Sequence, residues 1–264
     1  MIYTRRTLAI EARFEGLGLH CGEPVRVRVL PGEAGLRFIS GGNRFEATPD
    51  NVTETARCTR LGDISTIEHL MSALAGLEVT DADIEVVGGE LPALDGSSRV
   101  FCQGLVGAGF ASLGEAEISG PFTRIFVQEP DWSLAVSAGE GHWRYSFDAG
   151  DRWPGVQTFE SPDVSRDYQE SVAPARTFGF ETEVEAIRAA GLAKGLDLES
   201  ALLIGSNGYA NAPRFPDEPA RHKLLDAIGD LYLAGIPIRF LNVAAYRAGH
   251  TANIRAATLL RSGG

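Results

Sequence analysis

The chain is short of cysteine, short of basic charge and without any long apolar run. Its three cysteines, Cys21, Cys58 and Cys102, are scattered over 264 residues. An odd number at wide spacing does not build a disulfide scaffold and fits a reducing compartment. Lys and Arg number 24 against 35 Asp and Glu, a net charge of −11. Such a chain lacks the basic surface that nucleic-acid binding needs, and no basic run exceeds Arg5-Arg6. No segment approaches the ~20 apolar residues of a membrane span. The first twenty residues hold no continuous apolar stretch of the kind a signal peptide carries. These absences predict a cytoplasmic protein with no integral membrane segment and no nucleic-acid partner. A small anionic ligand is not excluded, because a few local Arg and Lys override the average field.

Glycine, by contrast, is abundant: 31 residues, against the ~7% usual in soluble proteins, which marks many tight turns or close backbone approaches. The length gives two domains at about 150 residues each. Val25-Arg26-Val27-Arg28-Val29-Leu30 alternates apolar and charged residues and reads as a strand with one buried face. Gly35–Ile39 is its return, and Asp83–Val87 a further strand. Ser65-Thr66-Ile67-Glu68 fits a capping box opening a helix that Gly76 closes. Residues 99–110 read as a second helix with Val100, Phe101, Leu105 and Val106 on one side. Periodicity lapses over 111–121, which places a domain boundary there and divides the chain into 1–115 and 116–264. Strands follow near 123–128, 133–138 and 143–148. Helices then follow at Glu181–Ala193, Glu218–Leu233 and His250–Leu260, with a short insert near 185–212. Strands then helices, twice, predicts an α+β class repeated at the level of architecture, with no residue-level repeat.

Only five histidines are present, and their neighbours carry the chemistry. His222 and Asp226, four apart on the strongest helix, share one face and could grip a metal ion. The same pair also occurs on solvated helix faces. Glu68 and His69 are adjacent and diverge by ~100° on a helix, so they are not equal ligands. One reading makes Glu68 the capping-box partner of Ser65 and His69 a half-buried structural residue. The other makes His69 a ligand and Glu68 the base beside it. His69, His222 and Asp226 would fill the three protein positions of a catalytic zinc site, whose chemistry is amide or ester hydrolysis. His250 follows Gly249 and opens a helix, as a plain helix-start residue or as a general acid. His20 lies in a glycine-flanked turn, structural or ligand-binding. His142, in a Gly-rich turn, is expected at the surface.

Several segments occur together in one order: Gly16-Leu17-Gly18-Leu19-His20, Ser65–Leu70, Asp95-Gly96-Ser97, Ala175-Arg176-Thr177-Phe178-Gly179-Phe180, Arg221–Asp230 and Gly249-His250. Over residues 4–260 the chain resembles the UDP-3-O-acyl-N-acetylglucosamine deacetylase family of lipid A biosynthesis. The resemblance implies two domains, each a two-layer sandwich of a β-sheet on a helix pair, packed helix face to helix face. It implies a Zn²⁺-dependent (or Fe²⁺-dependent) monomer that cleaves the 2-acetamido group of an acyl-bearing nucleotide sugar and releases acetate. By motif, His69, His222 and Asp226 match the metal ligands and Glu68 the general base. His250 matches the histidine that stabilises the oxyanion and protonates the amine, and Asp230 the carboxylate that orients it. Thr177 matches the oxyanion-holding threonine, and Phe178, Lys223 and His20 match substrate contacts.

The chain departs from the family pattern in three places. The link from Cys58-Thr59 to Ser65 is short, the stretch after Phe147-Asp148 differs, and Gly195–Ser200 replaces the family's Gly-Gly-Ser-Leu-Asp-Asn-like run beside the acyl passage. These departures leave two other readings open: a deacetylase of another N-acetylated amino sugar, and a non-catalytic nucleotide-sugar binder.

Overall fold

A computed structural model describes residues 1–118 and 124–263. The first half holds β1 (Ile2–Leu8), β2 (Ala12–Leu17), β3 (Pro24–Pro31), β4 (Leu36–Ser40), β5 (Asn43–Glu46), β6 (Val52–Glu54), β7 (Arg60–Leu61), α1 (Glu68–Gly76), β8 (Ala82–Val87), α2 (Arg99–Ala108) and β9 (Phe110–Glu117). The second holds β10 (Ile125–Glu129), β11 (Trp132–Ala138), β12 (Trp143–Asp148), β13 (Val156–Ser161), α3 (Val164–Asp167), β14 (Phe178–Phe180), α4 (Val184–Ala189), β15 (Leu202–Ile204), α5 (Glu218–Tyr232), β16 (Leu241–Tyr246) and α6 (His250–Arg261). None of the helices among the described residues is long and apolar enough to cross a membrane.

Alternation does what the sequence predicts in β3, where Val25, Val27 and Val29 are buried and Arg26 and Arg28 are exposed. One-sided burial of this kind requires a cover, and helices supply it. The first five-stranded sheet runs β2-β3-β8-β4-β5 and the second β10-β11-β16-β12-β13. In each, the last strand in sequence, β8 or β16, enters between its predecessors and lies parallel to β4 or β12. Helix α2 packs on β2 and α1, helix α6 packs on β10, β11 and α5, and α1 lies against α5. The molecule is therefore a doubled α+β sandwich with one strand order used twice, sheets outside and helices between them. All nine residues of α1 are buried. Burying Leu70, Met71 and Leu74 there contributes about 1.5–3 kcal/mol each.

Several local expectations need correction. In α2 the buried face is Phe101, Cys102, Leu105 and Ala108, at i, i+1, i+4 and i+7, while Val106 falls off that stripe and is exposed. The expected helix over Glu181–Ala193 is only α4, preceded by a single tight turn at Glu181–Glu183. Gly191 and Ala193 take positive φ and end it. Strands β9, β13, β14, β15 and β16 went unpredicted. Of these, β14 and β15 are three residues each and pair in parallel across α4, too short to show a period. The expected division between residues 115 and 116 falls inside β9, whose ladder to β1 keeps residues up to Glu117 with the first half. The 111–121 boundary window extends to residues 119–121, outside the described residues.

Candidate active site

Helices α1 and α5 bring the candidate residues together. Gly229 makes their approach possible, since a Cβ there would stand 2.1 Å from the Glu68 carbonyl oxygen. Glu68 and His69 come from the first turn of α1, and His222, Lys223, Asp226 and Asp230 from α5. His250 opens α6. A cavity of about 360 Å³ is lined by Glu68, His69, Thr177, Phe178, His222, Lys223, Asp226 and His250, with His20 on the same wall as Glu68.

His69, His222 and Asp226 offer ligand atoms that all lie within 4.8 Å of one another. Asp226 Oδ1 is 3.5 Å from His222 Nε2 and 3.7 Å from His69 Nε2. Two donors about 2.1 Å from a tetrahedral ion stand roughly 3.4 Å apart, so the trio has the spacing of three such ligands. These contacts are not ion pairs. Burial lowers His69 to about 3 and His222 below its ordinary value, so both imidazoles are neutral and have a lone pair to give. The His222 Nδ1–H donates to the Ala175 carbonyl (3.1 Å), which turns the Nε2 lone pair toward Asp226. Asp226 Oδ1 is buried and has no hydrogen-bond partner among the described residues, an orphaned acceptor that a cation would satisfy. Its other oxygen takes the Lys223 ammonium at 2.7 Å. Asp226 is 3% exposed and still held well below the usual carboxylate range: burial works to raise it, and the charge of Lys223, the foremost of its neighbours, overcomes that. The residues fit a divalent metal with nitrogen and oxygen ligands.

Glu68 is not in a capping box. Ile67 occupies the cap position without a side-chain bond, and Ser65 is extended beside Glu90. The Glu68 carboxylate turns away from its own helix terminus and accepts from the Thr59 N–H at 3.0 Å. Burial raises Glu68 to about 8, with Asp226 and Asp230 adding and His250 opposing. Across the cavity, His250 Nδ1 donates to Asp230 Oδ2 at 2.9 Å. Burial alone would lower His250; the charge and hydrogen bond of Asp230 outweigh it and hold the ring up to about 9.

The remaining candidates vary in their ties. Thr177 donates its N–H to the Gly96 carbonyl at 2.7 Å, and its hydroxyl makes no hydrogen bond among the described residues. Phe178 stands edge-on to Phe147 and His222, and also borders a second, apolar groove. Lys223 is half-buried and bound to Asp226, so its charge is already engaged. His20 is held by its backbone N–H on Glu90 (2.8 Å), and its Nε2 is buried without a partner. His142 is exposed and paired with Glu160, away from the cavity. Sequence reasoning missed Thr59, Asn253, Arg57 and Arg247. Asn253 donates to Asp230 Oδ2 at 2.9 Å, and its i+3 spacing from His250 could have flagged it. Arg57 and Arg247 are exposed on the cavity wall at positive φ (68° and 51°).

Comparison with known proteins reinforces this picture. Residues 5–262 match the family described as UDP-3-O-acyl N-acetylglycosamine deacetylase. Curated relatives named UDP-3-O-acyl-N-acetylglucosamine deacetylase include one from a Nostoc species, 34% identical over 96% of this chain and 96% of its own. Another, from a Geobacter species, is 36% identical over 97% of this chain and 88% of its own. One from Geotalea uraniireducens is 35% identical over 98% and 88%. With likeness running from end to end rather than over isolated motifs, the chain belongs to the UDP-3-O-acyl N-acetylglycosamine deacetylase family.

Proposed function

We propose that this protein hydrolyses the 2-acetamido group of a UDP-3-O-acyl-N-acetylglucosamine to acetate and a free amine, as a cytoplasmic step of lipid A biosynthesis. The observation that carries the reading is the set of neutral His69 and His222 around the orphaned Asp226 oxygen, with Glu68 and His250 lining the same cavity. His69, His222 and Asp226 would hold Zn²⁺, or Fe²⁺ under other supply, since an imidazole and carboxylate set suits both. When bound, the ion supplies a Lewis acid for the acetamido carbonyl and acidifies water in the site. Glu68 takes the proton of the attacking water as its oxygen adds to the carbonyl carbon. His250, kept protonated by Asp230, donates a hydrogen bond to the developing oxyanion, and the Thr177 hydroxyl assists. His250 then gives its proton to the amine nitrogen as the C–N bond breaks and acetate departs.

Substrate binding falls to both walls. The exposed guanidinium groups of Arg57 and Arg247, with His20, suit the diphosphate of a nucleotide sugar. The groove that meets the cavity at Phe178 has a volume of about 310 Å³ and is walled by Val184, Ile187, Leu196, Leu198 and Leu203. An apolar channel beside the reacting centre supports a 3-O-acyl chain as part of the substrate.

The test is acetate release by the zinc-loaded protein from the acylated nucleotide sugar and from its non-acylated counterpart. The acylated substrate should be preferred, and Glu68→Ala should lower kcat by about 10²- to 10⁴-fold. Equal turnover of the two would transfer the reading to another N-acetylated amino sugar. No acetate from the wild type, or unchanged rates in Glu68→Ala, would refute hydrolysis.

A further inference from the structure

Thr59 has no part in any of the motifs above, yet it touches both sides of the reaction centre. It is 0% exposed and lies just before β7. Its backbone pairs with the start of α1: the carbonyl accepts from the Ile67 N–H at 3.2 Å, and the N–H donates to Glu68 Oε2 at 3.0 Å. Its hydroxyl crosses to the other half of the molecule and donates to Asp230 Oδ1 at 2.6 Å. The Thr59 Oγ1 itself lies 3.3 Å from His250 Nδ1. One buried residue therefore bonds the carboxylate on the first wall and the carboxylate that carries His250 on the second.

Asp230 shows why that hydroxyl counts. It is 0% exposed, so water does not satisfy it. Oδ2 already serves His250 Nδ1 and Asn253 Nδ2, each at 2.9 Å. Oδ1 has one partner among the described residues, the Thr59 hydroxyl. A hydrogen bond to a buried carboxylate is charge-assisted and strong, and its loss leaves an unmet acceptor. With Thr59 in place, the plane of the Asp230 carboxylate is fixed at both oxygens, and so is the direction in which it holds the imidazole.

We propose that Thr59 is a positioning residue of this site, coupling the alignment of Glu68 to that of the Asp230–His250 pair through its N–H and its hydroxyl. The proposal rests on the reading of Glu68 as base and His250 as acid. Removing the hydroxyl misdirects His250 in the transition state without touching the substrate, so the loss falls on kcat and not on KM.

The experiment compares the zinc-loaded wild type with Thr59→Val and Thr59→Ser. Valine keeps the shape and the N–H and removes the hydroxyl; serine keeps the hydroxyl. Thr59→Val should lower kcat by about 10- to 100-fold, the usual effect of losing a partner behind a reacting group. KM and bound zinc should stay within about twofold of wild type. Thr59→Ser should recover most of the rate. A wild-type kcat in Thr59→Val overturns the proposal, as does equal damage in Thr59→Ser and Thr59→Val, which would report packing alone. A wild type that releases no acetate would instead refute the hydrolase reading, so the two failures are told apart.

Discussion

Asp230 and Asp226 are four residues apart on one buried helix face and are set to opposite tasks by their neighbours. Asp226 leaves one oxygen without a partner. Asp230 has donors on both oxygens and passes its charge to His250. The same contrast separates Glu68, raised to about 8, from His250, raised to about 9. A dication at the ligand trio lowers Glu68 and makes the carboxylate available near neutral pH. In the proposed role Glu68 acts unprotonated, so rate is lost as pH falls through its pKa. In the proposed role His250 acts protonated, so rate is lost as pH rises through its pKa, which Asp230 holds up. The expected kcat/KM profile is a bell. His250→Gln should lower the rate by about 10²- to 10⁴-fold with zinc retained, and should flatten the alkaline limb. A profile measured from pH 5 to 10 in both proteins checks this; an alkaline limb that persists in His250→Gln belongs to another group.

At the scale of elements, the crossing of α1 and α5 decides whether a site exists. Gly229 sits where α5 meets the Glu68 backbone. Alanine is the better helix former by about 1 kcal/mol, so propensity alone predicts that Gly229→Ala stabilises. The 2.1 Å approach to a backbone oxygen decides against it, because neither helix can yield there without moving Glu68. The expected net effect is a loss of about 1–3 kcal/mol, the range for overpacked cores, with weaker zinc binding. Thermal unfolding and a zinc titration measure both, and a raised Tm would show that the crossing opens freely. Much of this scale was legible in the sequence: α5 announces itself by period, helices were expected where α1 and α6 lie, and the i, i+4 spacing puts His222 beside Asp226. The capping box did not survive, because Thr59 supplies a donor that takes Glu68 away from its own helix end. Thr59 itself was invisible, since its partner Asp230 lies 171 residues away and local patterns carry no trace of such a contact. The β14–α4–β15 insert was blurred for the converse reason: its elements are too short to show a period.

For the whole molecule, the doubled fold places the ligand trio astride its two halves. His69 belongs to the first sandwich and His222 and Asp226 to the second, so an ion held by all three joins them. The chain carries a net charge of −11, and at the trio that acidity is useful: the buried Asp226 oxygen is an anionic acceptor which a cation would neutralise. A ligand that binds only the folded state stabilises it by about 2.7 kcal/mol at a free concentration of 100 Kd. For a chain of this length, each kcal/mol moves Tm by roughly 2–4 °C. Removing zinc with a chelator should therefore lower Tm by about 5–10 °C, and restoring it should reverse the change. His69→Ala and Asp226→Ala remove ligands from opposite halves, and each should abolish the zinc-dependent part of Tm, whatever its effect on the metal-free protein. Scanning calorimetry with and without zinc on the three proteins makes the comparison. If His69→Ala keeps the full zinc increment, the ion is bound by the second half alone and does not bridge the two.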